Sequence, residues 1–241
     1  MDQTYRRSLR PKIEALFARQ VAHFTGCAEF RALEGGRATP AQYDAFIENV
    51  ARAHLKSPQL LAFLYATAPP AATADLLHNL LEEVGLEDAS GTPHPELLRQ
   101  LVRAAGLGCR LPDLETLAHD DIRRVVVEPL LYGTLRDVGL AALVEIVAFE
   151  FMLSRVSGRV ARALATHRGL GPAALTWFTH HSEVDVRHAE QGFTSLEAYI
   201  GYYELADEAA LTIIELTLRD NVFARRYFRD VVPTSMGMGA R

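Results

Sequence analysis

The stretch TLRDVGLAALVEIVAFEFMLSRVSGRVARALA, residues 134–165, decides the fold of this chain. Its middle is apolar on most faces of a helix, so it predicts one long, central, buried α-helix with a bend near Ser157-Gly158. Two acids, Glu145 and Glu150, interrupt that apolar middle. A carboxylate in a buried helix is costly unless it is paired or bound to a metal, so both acids are candidates for function.

Helical periodicity extends outward from this segment in both directions. Thr39-Pro40 has the pattern of an N-cap followed by proline at the first helical position. RRVVVEPLL could form a strand alone, but its neighbours are helical and its proline is better placed to end or kink a helix. Two helical runs follow the long helix, joined near Gly192, and the second spans roughly residues 196–230. The sequence therefore predicts an all-α bundle of seven or eight helices.

The chain shows no internal repeat, low-complexity tract or change of composition that would mark a domain boundary. We predict one domain over residues 1–241, with residues 231–241 as a frayed tail. The formal charge of −5 is mild, and no basic block is interleaved with aromatics, which argues against nucleic-acid binding. No apolar stretch is long enough for a membrane span. Without signal-peptide or cysteine-framework patterns, we expect a soluble, cytoplasmic protein with free thiols.

The stretch HHSEVDVRH, residues 180–188, is unusually polar for a packed helix. At 100° per residue, Asp185 lies roughly 40° and His188 roughly −20° around the helix from His181, so the three share one narrow face. Imidazole and carboxylate groups at positions i, i+4 and i+7 of a helix indicate a metal site somewhat more than a solvent-exposed surface. This combination favours iron, manganese or zinc over calcium or magnesium.

The other polar residues of this stretch, His180 and Glu183, point away from that face at the same helical phase. The competing interpretation is a solvent-exposed polar face, which is the default for charged helical residues. A single helix cannot complete a metal site, so further ligands must come from elsewhere in the chain.

Acids and a histidine on other helices are the candidates for completing the site. Glu145 and Glu150 point about 140° apart, so both are unsuited to one site. Glu82 and Glu83 end the helix HNLLEEVG, where acids oppose the helix macrodipole, and His94 opens the next helix. Each could be structural, as a rim residue or a helix boundary. Together with the histidine-rich face, they form a ligand set suited to two irons with open positions for O2.

NLLEEVG (79–85), HPEL (94–97) and the histidine-rich stretch resemble the haem-oxygenase-like diiron oxidases, relatives of the thiaminase and pyrroloquinoline-quinone synthase folds. The resemblance covers roughly residues 40–225. Either Glu82 or Glu87 could replace Glu83 as a ligand, because the gap to the next histidine depends on the loop. The metal ligands that the resemblance implies are Glu83, His94, Glu150, His181, Asp185 and His188.

The resemblance also implies an all-α, haem-oxygenase-like bundle that forms a homodimer. Its two ferrous ions, or a manganese-iron pair, would react with O2 to give a peroxo-diferric species that oxidises a small, amino-acid- or amine-derived substrate, with an external electron donor where the reaction needs one. One branch of the family makes p-aminobenzoate from its own tyrosine and lysine side chains. This chain has only Lys12 and Lys56, neither near the central ligand helix, which argues against that chemistry.

Three residues are candidates for binding the substrate: Arg155, Arg187 and Tyr132. Arginine could bind a substrate carboxylate with two hydrogen bonds, although surface ion pairs and rim packing explain such residues better taken one by one. Two other functions remain open. The chain could be a metal-independent, thiaminase-like enzyme of the same fold, or a non-enzymatic helical protein that binds metal. A ferritin-like site is excluded, because the motif E-x-x-H occurs nowhere in the sequence.

Overall fold

The structure is a computed structural model that describes residues 9–87, 91–220 and 227–228, without the side chains of residues 183, 184 and 220. These residues form helices and no strand, which confirms the all-α bundle, although short breaks divide the predicted helical segments further. The α-helices are α1 (Leu9–Gly26), α2 (Ala28–Glu34), α3 (Pro40–His54), α4 (Ser57–Ala66), α5 (Thr73–Glu83), α6 (His94–Ala104), α7 (Leu111–Ile122), α8 (Leu135–Arg168), α9 (Thr176–Tyr202) and α10 (Asp207–Asp220).

The long central helix predicted from residues 134–165 is α8, and its middle is buried almost without interruption. It begins where the Thr134 hydroxyl accepts a hydrogen bond from the backbone N–H of Asp137 at 3.2 Å. It ends at Gly169, whose φ of 71° is the left-handed conformation that favours glycine at a helix C-terminus. The helix is continuous through Ser157-Gly158.

α9 packs along α8, and two glycines allow the close approach of the helices. A Cβ at Gly192 would lie 2.7 Å from Val147 Cγ2, and a Cβ at Gly139 would lie 2.1 Å from Tyr199 Oη. The sequence predicted a junction between two helices near Gly192, but α9 runs through it. Glycine is there for packing rather than for a turn.

The segment after α7 contains no strand, in agreement with the helical interpretation of RRVVVEPLL. A π-helical turn covers Arg123–Val127 and a 3-10 turn covers Pro129–Leu131. Proline lacks the N–H that would continue the preceding helix, so the chain changes geometry there.

The last helix predicted, to residue 230, is described as α10 over Asp207–Asp220. The predicted tail, residues 231–241, lies outside the described residues. Tyr227 and Phe228 are described, and their rings pack at 5.8 Å and 5.4 Å from the ring of Phe46 on α3. These two residues therefore pack against the face formed by α2 and α3.

Among the helices that the structure describes, none combines the length and the apolar composition that crossing a membrane requires.

Candidate metal centre

Seven ionisable side chains line one small cavity inside the bundle, and six of them, all except His54, come from four helices. α5 contributes its last residue, α6 its first, α8 one from its middle and α9 three. The cavity has a volume of about 30 Å³. The structure thus brings together all the ligands implied by the resemblance: Glu83, His94, Glu150, His181, Asp185 and His188.

Glu83, His94 and His181 form a compact, buried group in this cavity. One ligand atom of each lies within 4.8 Å of the others. Glu83 Oε2 lies 2.5 Å from His94 Nδ1. Burial opposes ionisation of Glu83, but the contact with His94 and the hydroxyl of Ser57 hold its pKa down at about 2. A charged carboxylate therefore stands between two imidazoles, as a transition metal requires.

Gly85 brings Glu83 and His94 together although they belong to different helices. Its φ is +77°, and a Cβ there would lie 2.8 Å from Pro93 N and 2.9 Å from the carbonyl carbon of Thr92. Its N–H donates to the carbonyl of Glu82 at 2.9 Å, which ends α5. Only glycine fits this left-handed turn and the close approach to the start of α6.

The proton of His181 is placed by its own helix. Its Nδ1 lies 2.7 Å from the carbonyl oxygen of Trp177 and donates to it. Burial, with the neighbouring His94, lowers the pKa of His181 well below its usual value, so the ring is neutral. The lone pair is then on Nε2, which is the form in which histidine binds a metal.

His188 lies between two acids, one of which is outside the cavity lining. Its Nε2 is 2.5 Å from Glu82 Oε2, and its Nδ1 is 3.6 Å from Asp185 Oδ1. Burial alone would lower the pKa of His188, but Asp185 and Glu82 raise it to about 10. Glu82 also accepts a hydrogen bond from Arg187 Nη2 at 2.6 Å. Glu82 therefore orients His188, whereas Glu83 lines the cavity.

Of the two acids in the apolar middle of α8, Glu150 reaches the cavity. It accepts a hydrogen bond from Asn79 Nδ2 at 2.5 Å. Burial raises the pKa of its carboxyl group. Glu145 is also buried but is not part of the cavity lining, as the angle between the two side chains predicts.

The environment of the Asp185 carboxylate indicates that the side chains lining the cavity suit a cation. Burial, reinforced by the carboxylates of Glu150 and Glu83, raises its pKa to about 7 although His188 opposes the shift. Its Oδ2 is buried and has no hydrogen-bond partner among the described residues. Buried carboxylates that repel one another are stabilised by a bound metal ion.

Three polar residues of the cavity were not singled out from the sequence: His54, Ser57 and Asn79. The Ser57 hydroxyl donates to the Glu83 carboxylate. Burial lowers the pKa of His54 to about 3, so its ring is neutral. The signal that could have found His54 and Ser57 is their position on either side of one helix break, since polar residues at a buried break have partners elsewhere.

The three predicted substrate contacts lie outside the cavity lining. Tyr132 is 93% exposed, and Arg187 pairs with Glu82. The guanidinium carbon of Arg155 lies 3.4 Å from the centre of the Phe151 ring. Their placement gives the prediction of substrate binding no support. Glu87, the other alternative ligand, pairs near the surface with His78 and is also absent from the lining.

Neither cysteine lies at the cavity. Cys27 accepts a hydrogen bond from the N–H of Phe30 at the start of α2, and Cys109 is exposed. A thiol is therefore not placed to act with the cavity acids in a metal-independent reaction.

A comparison with known families matches residues 44–216, well over half of the chain, to a family described as iron-containing redox enzymes. A similar protein is the 4-aminobenzoate synthase of Chlamydia trachomatis serovar D, 27% identical over 160 residues, which are 65% of this chain and 66% of that protein. The match thus spans slightly less than two thirds of this relative. The chain belongs to the haem-oxygenase-like family of iron-containing redox enzymes.

Proposed function

We propose that this protein is an O2-dependent oxidoreductase with a dinuclear non-haem iron centre. The observation that carries the proposal is the convergence of three carboxylates and three imidazoles on one cavity of about 30 Å³. The ligands would be Glu83, His94, Glu150, His181, Asp185 and His188. A manganese-iron pair would suit the same donors.

Two ferrous ions held by this set would supply the electrons that activate O2 for oxidation of a small organic substrate. The chain provides the electrostatic conditions for that chemistry. Ser57 and Asn79 each donate a hydrogen bond to a cavity carboxylate, on Glu83 and Glu150 respectively. Such outer contacts fix the orientation of ligating side chains and strengthen metal binding.

Apolar side chains form part of the wall of the same cavity and would limit the access of water to the reaction. Its walls include the apolar side chains of Leu61, Ile146, Phe149 and Leu153. The Trp177 ring lies 4.2 Å from the His181 ring, centre to centre, and closes another side. An apolar wall protects a reactive centre from side reactions with solvent.

We infer that the substrate is a separate small molecule, amino-acid- or amine-derived, rather than a side chain of the protein. The similar protein is named for the synthesis of 4-aminobenzoate, an aromatic amine, and supports this class. Lys12 and Lys56 are the only lysines, and neither lines the cavity. Lys56 instead pairs with Glu115 at 2.9 Å.

Anaerobic titration with Fe(II) tests the centre directly. We expect about two irons per chain from the ligand count, and O2 consumption linked to iron oxidation after mixing with O2. His181→Ala should lose metal and O2 consumption, whereas His119→Ala, a change at an exposed histidine, should lose neither.

Three results would contradict the proposal. Full metal binding by His181→Ala would show that the metal does not bind in this cavity. Undiminished activity after chelation would favour the metal-independent enzyme. Metal binding with no O2 consumption above the buffer rate would favour the non-enzymatic protein.

A further inference from the structure

A larger cavity, separate from the metal cavity, lies beside α2 and α3. Its volume is about 270 Å³, and it is lined mainly by apolar side chains. We call it the apolar chamber. The lining residues that matter here are Glu29, Ala41, Ala45, Phe46, Asn49 and Tyr227.

The sequence leaves this space open by placing small residues around it. Four alanines, at positions 32, 38, 41 and 45, form its sides, and each fills only the volume of a methyl group. Rings form its deep end, where the centres of Phe46 and Tyr227 are 5.8 Å apart. An apolar cavity of about 150 Å³ can hold a benzene ring, so this one has room for an aromatic molecule of about ten non-hydrogen atoms.

The charge of the chamber restricts the ligand further. Among the described residues that line it, none is lysine or arginine. Glu29 is an exposed acid at the mouth, and the amide of Asn49 is a buried polar group deeper inside. The charge of the described lining residues therefore favours an uncharged ring or an amine over a carboxylate or phosphate group.

One hydrogen-bonded pair separates the chamber from the metal cavity. Tyr227 lines the chamber, and its hydroxyl is hydrogen-bonded to His54 Nε2. His54 lines the metal cavity, with its ring centre 4.3 Å from that of Phe149 and 4.9 Å from that of Trp177. Both members of the pair are buried. The chamber is thus one tyrosine and one histidine away from the candidate ligands.

We propose that the apolar chamber binds the organic substrate, a small aromatic molecule that is uncharged or carries an amine, next to the Tyr227–His54 pair through which the chamber adjoins the metal cavity. That the bound molecule is a substrate rests on the proposed function. Binding itself does not, because it requires only the chamber.

Calorimetric titration of the metal-free protein with three probes tests the binding. Phenethylamine and indole should bind, and phenylacetate, which matches phenethylamine in size but is an anion, should bind at least about ten-fold more weakly. Glu29→Gln should weaken phenethylamine binding about two- to five-fold and leave indole binding unchanged, since an exposed ion pair contributes modestly.

Filling the chamber provides the structural test. Ala45→Phe should weaken the binding of phenethylamine and of indole at least ten-fold. Ala41→Phe, at the more exposed mouth, should also weaken their binding and should not disturb the packing of the core. Ala66→Phe is the matched control, because Ala66 is an exposed alanine outside the lining. Unchanged Fe(II) stoichiometry in all three variants would show that they are folded.

The link to the metal cavity is tested in the Co(II)-loaded protein. Saturating indole should shift the visible cobalt absorption, and Ala45→Phe should abolish that shift. Failure to bind any probe, or equal binding by the filled variants, would overturn the proposal. Probe binding without a cobalt shift would contradict the proposal that the chamber holds the substrate of the metal centre. Failure to load metal would overturn the proposed function. It would not affect the calorimetric result, which is measured on the metal-free protein.

Discussion

Glu82 and Glu83 are neighbours in the chain, yet their carboxylates contact histidines on different helices. Glu83 Oε2 lies 2.5 Å from His94 Nδ1 on α6, and Glu82 Oε2 lies 2.5 Å from His188 Nε2 on α9. The end of α5 thus supplies one acid that lines the cavity and one that holds a histidine from outside it. This arrangement gives the two acids distinct roles that measurement can separate.

Glu83→Gln should abolish the tight binding of at least one metal ion, because it removes the charged oxygen between His94 and His181. Glu82→Gln should weaken metal binding about 10- to 100-fold, as expected for a residue that orients a ligand. Competitive titration against a chelator dye measures both. Glu87→Gln is the control, since Glu87 is an acid outside the cavity, and it should bind like the wild type. Equal losses in the first two variants would contradict the separate roles.

Asp185 should destabilise the metal-free protein above neutral pH. Its folded pKa of about 7 lies above its usual value of 3.8, so the charged form is disfavoured by folding. Stability linked to this group is therefore full below pH 3.8 and falls as pH rises towards 7. At pH 8, Asp185→Asn should raise the free energy of unfolding by on the order of 2–4 kcal/mol while weakening metal binding.

Urea denaturation of metal-free wild type and Asp185→Asn between pH 4 and 8 measures this difference. The gap in unfolding free energy should widen with pH. Asp113→Asn, at an aspartate with 61% of its side chain exposed, should change stability by less than about 0.5 kcal/mol. An Asp185→Asn protein less stable than wild type at pH 8 would show that the carboxylate is already well paired without metal.

Trp177 should report metal binding by its fluorescence. It is the only tryptophan of the chain, and its ring lies 4.2 Å from the His181 ring. Fe(II) or Co(II) at His181 has a partly filled d shell and should quench the emission, whereas Zn(II), with a filled shell, should not. Quenching that persists in His181→Ala would place the metal elsewhere.

Gly192→Ala should destabilise the protein by about 1–3 kcal/mol, the usual cost of overpacking. The new Cβ would lie 2.7 Å from Val147 Cγ2. Val147→Ala in the same chain should recover part of the loss, which thermal denaturation of the double variant measures. Gly158→Ala is the control, because its Cβ would meet nothing closer than 3.6 Å, and it should stabilise the helix slightly.

The part of the site carried by single helices could be predicted from the sequence. A fixed angle per residue placed His181, Asp185 and His188 on one face and separated Glu150 from Glu145, and all four of the favoured residues line the cavity. The long apolar pattern likewise predicted α8. These inferences need only the period of the helix. The ligand roles and the homodimer stay predictions.

The parts that depend on how helices meet could not be predicted. Whether Glu82 or Glu83 faces the cavity depends on how α5 is rotated against the bundle, so the residues alone left this open and only the resemblance implied Glu83. The contact between His54 and Tyr227 joins residues 173 positions apart, which no local pattern reveals. The predicted junction near Gly192 was wrong. A glycine in a helical pattern can indicate a break, but this one allows α8 and α9 to approach each other closely.

The metal cavity is small, and this has a consequence for how such a protein can change over generations. A volume of about 30 Å³ has room for roughly two water molecules or one O2, but not for an aromatic substrate. If the apolar chamber holds the substrate as proposed, reactivity is encoded on α5, α6, α8 and α9, and selectivity on the chamber walls of α2 and α3. Mutations in those walls would then redirect the protein to a new compound and leave the metal-binding residues unchanged.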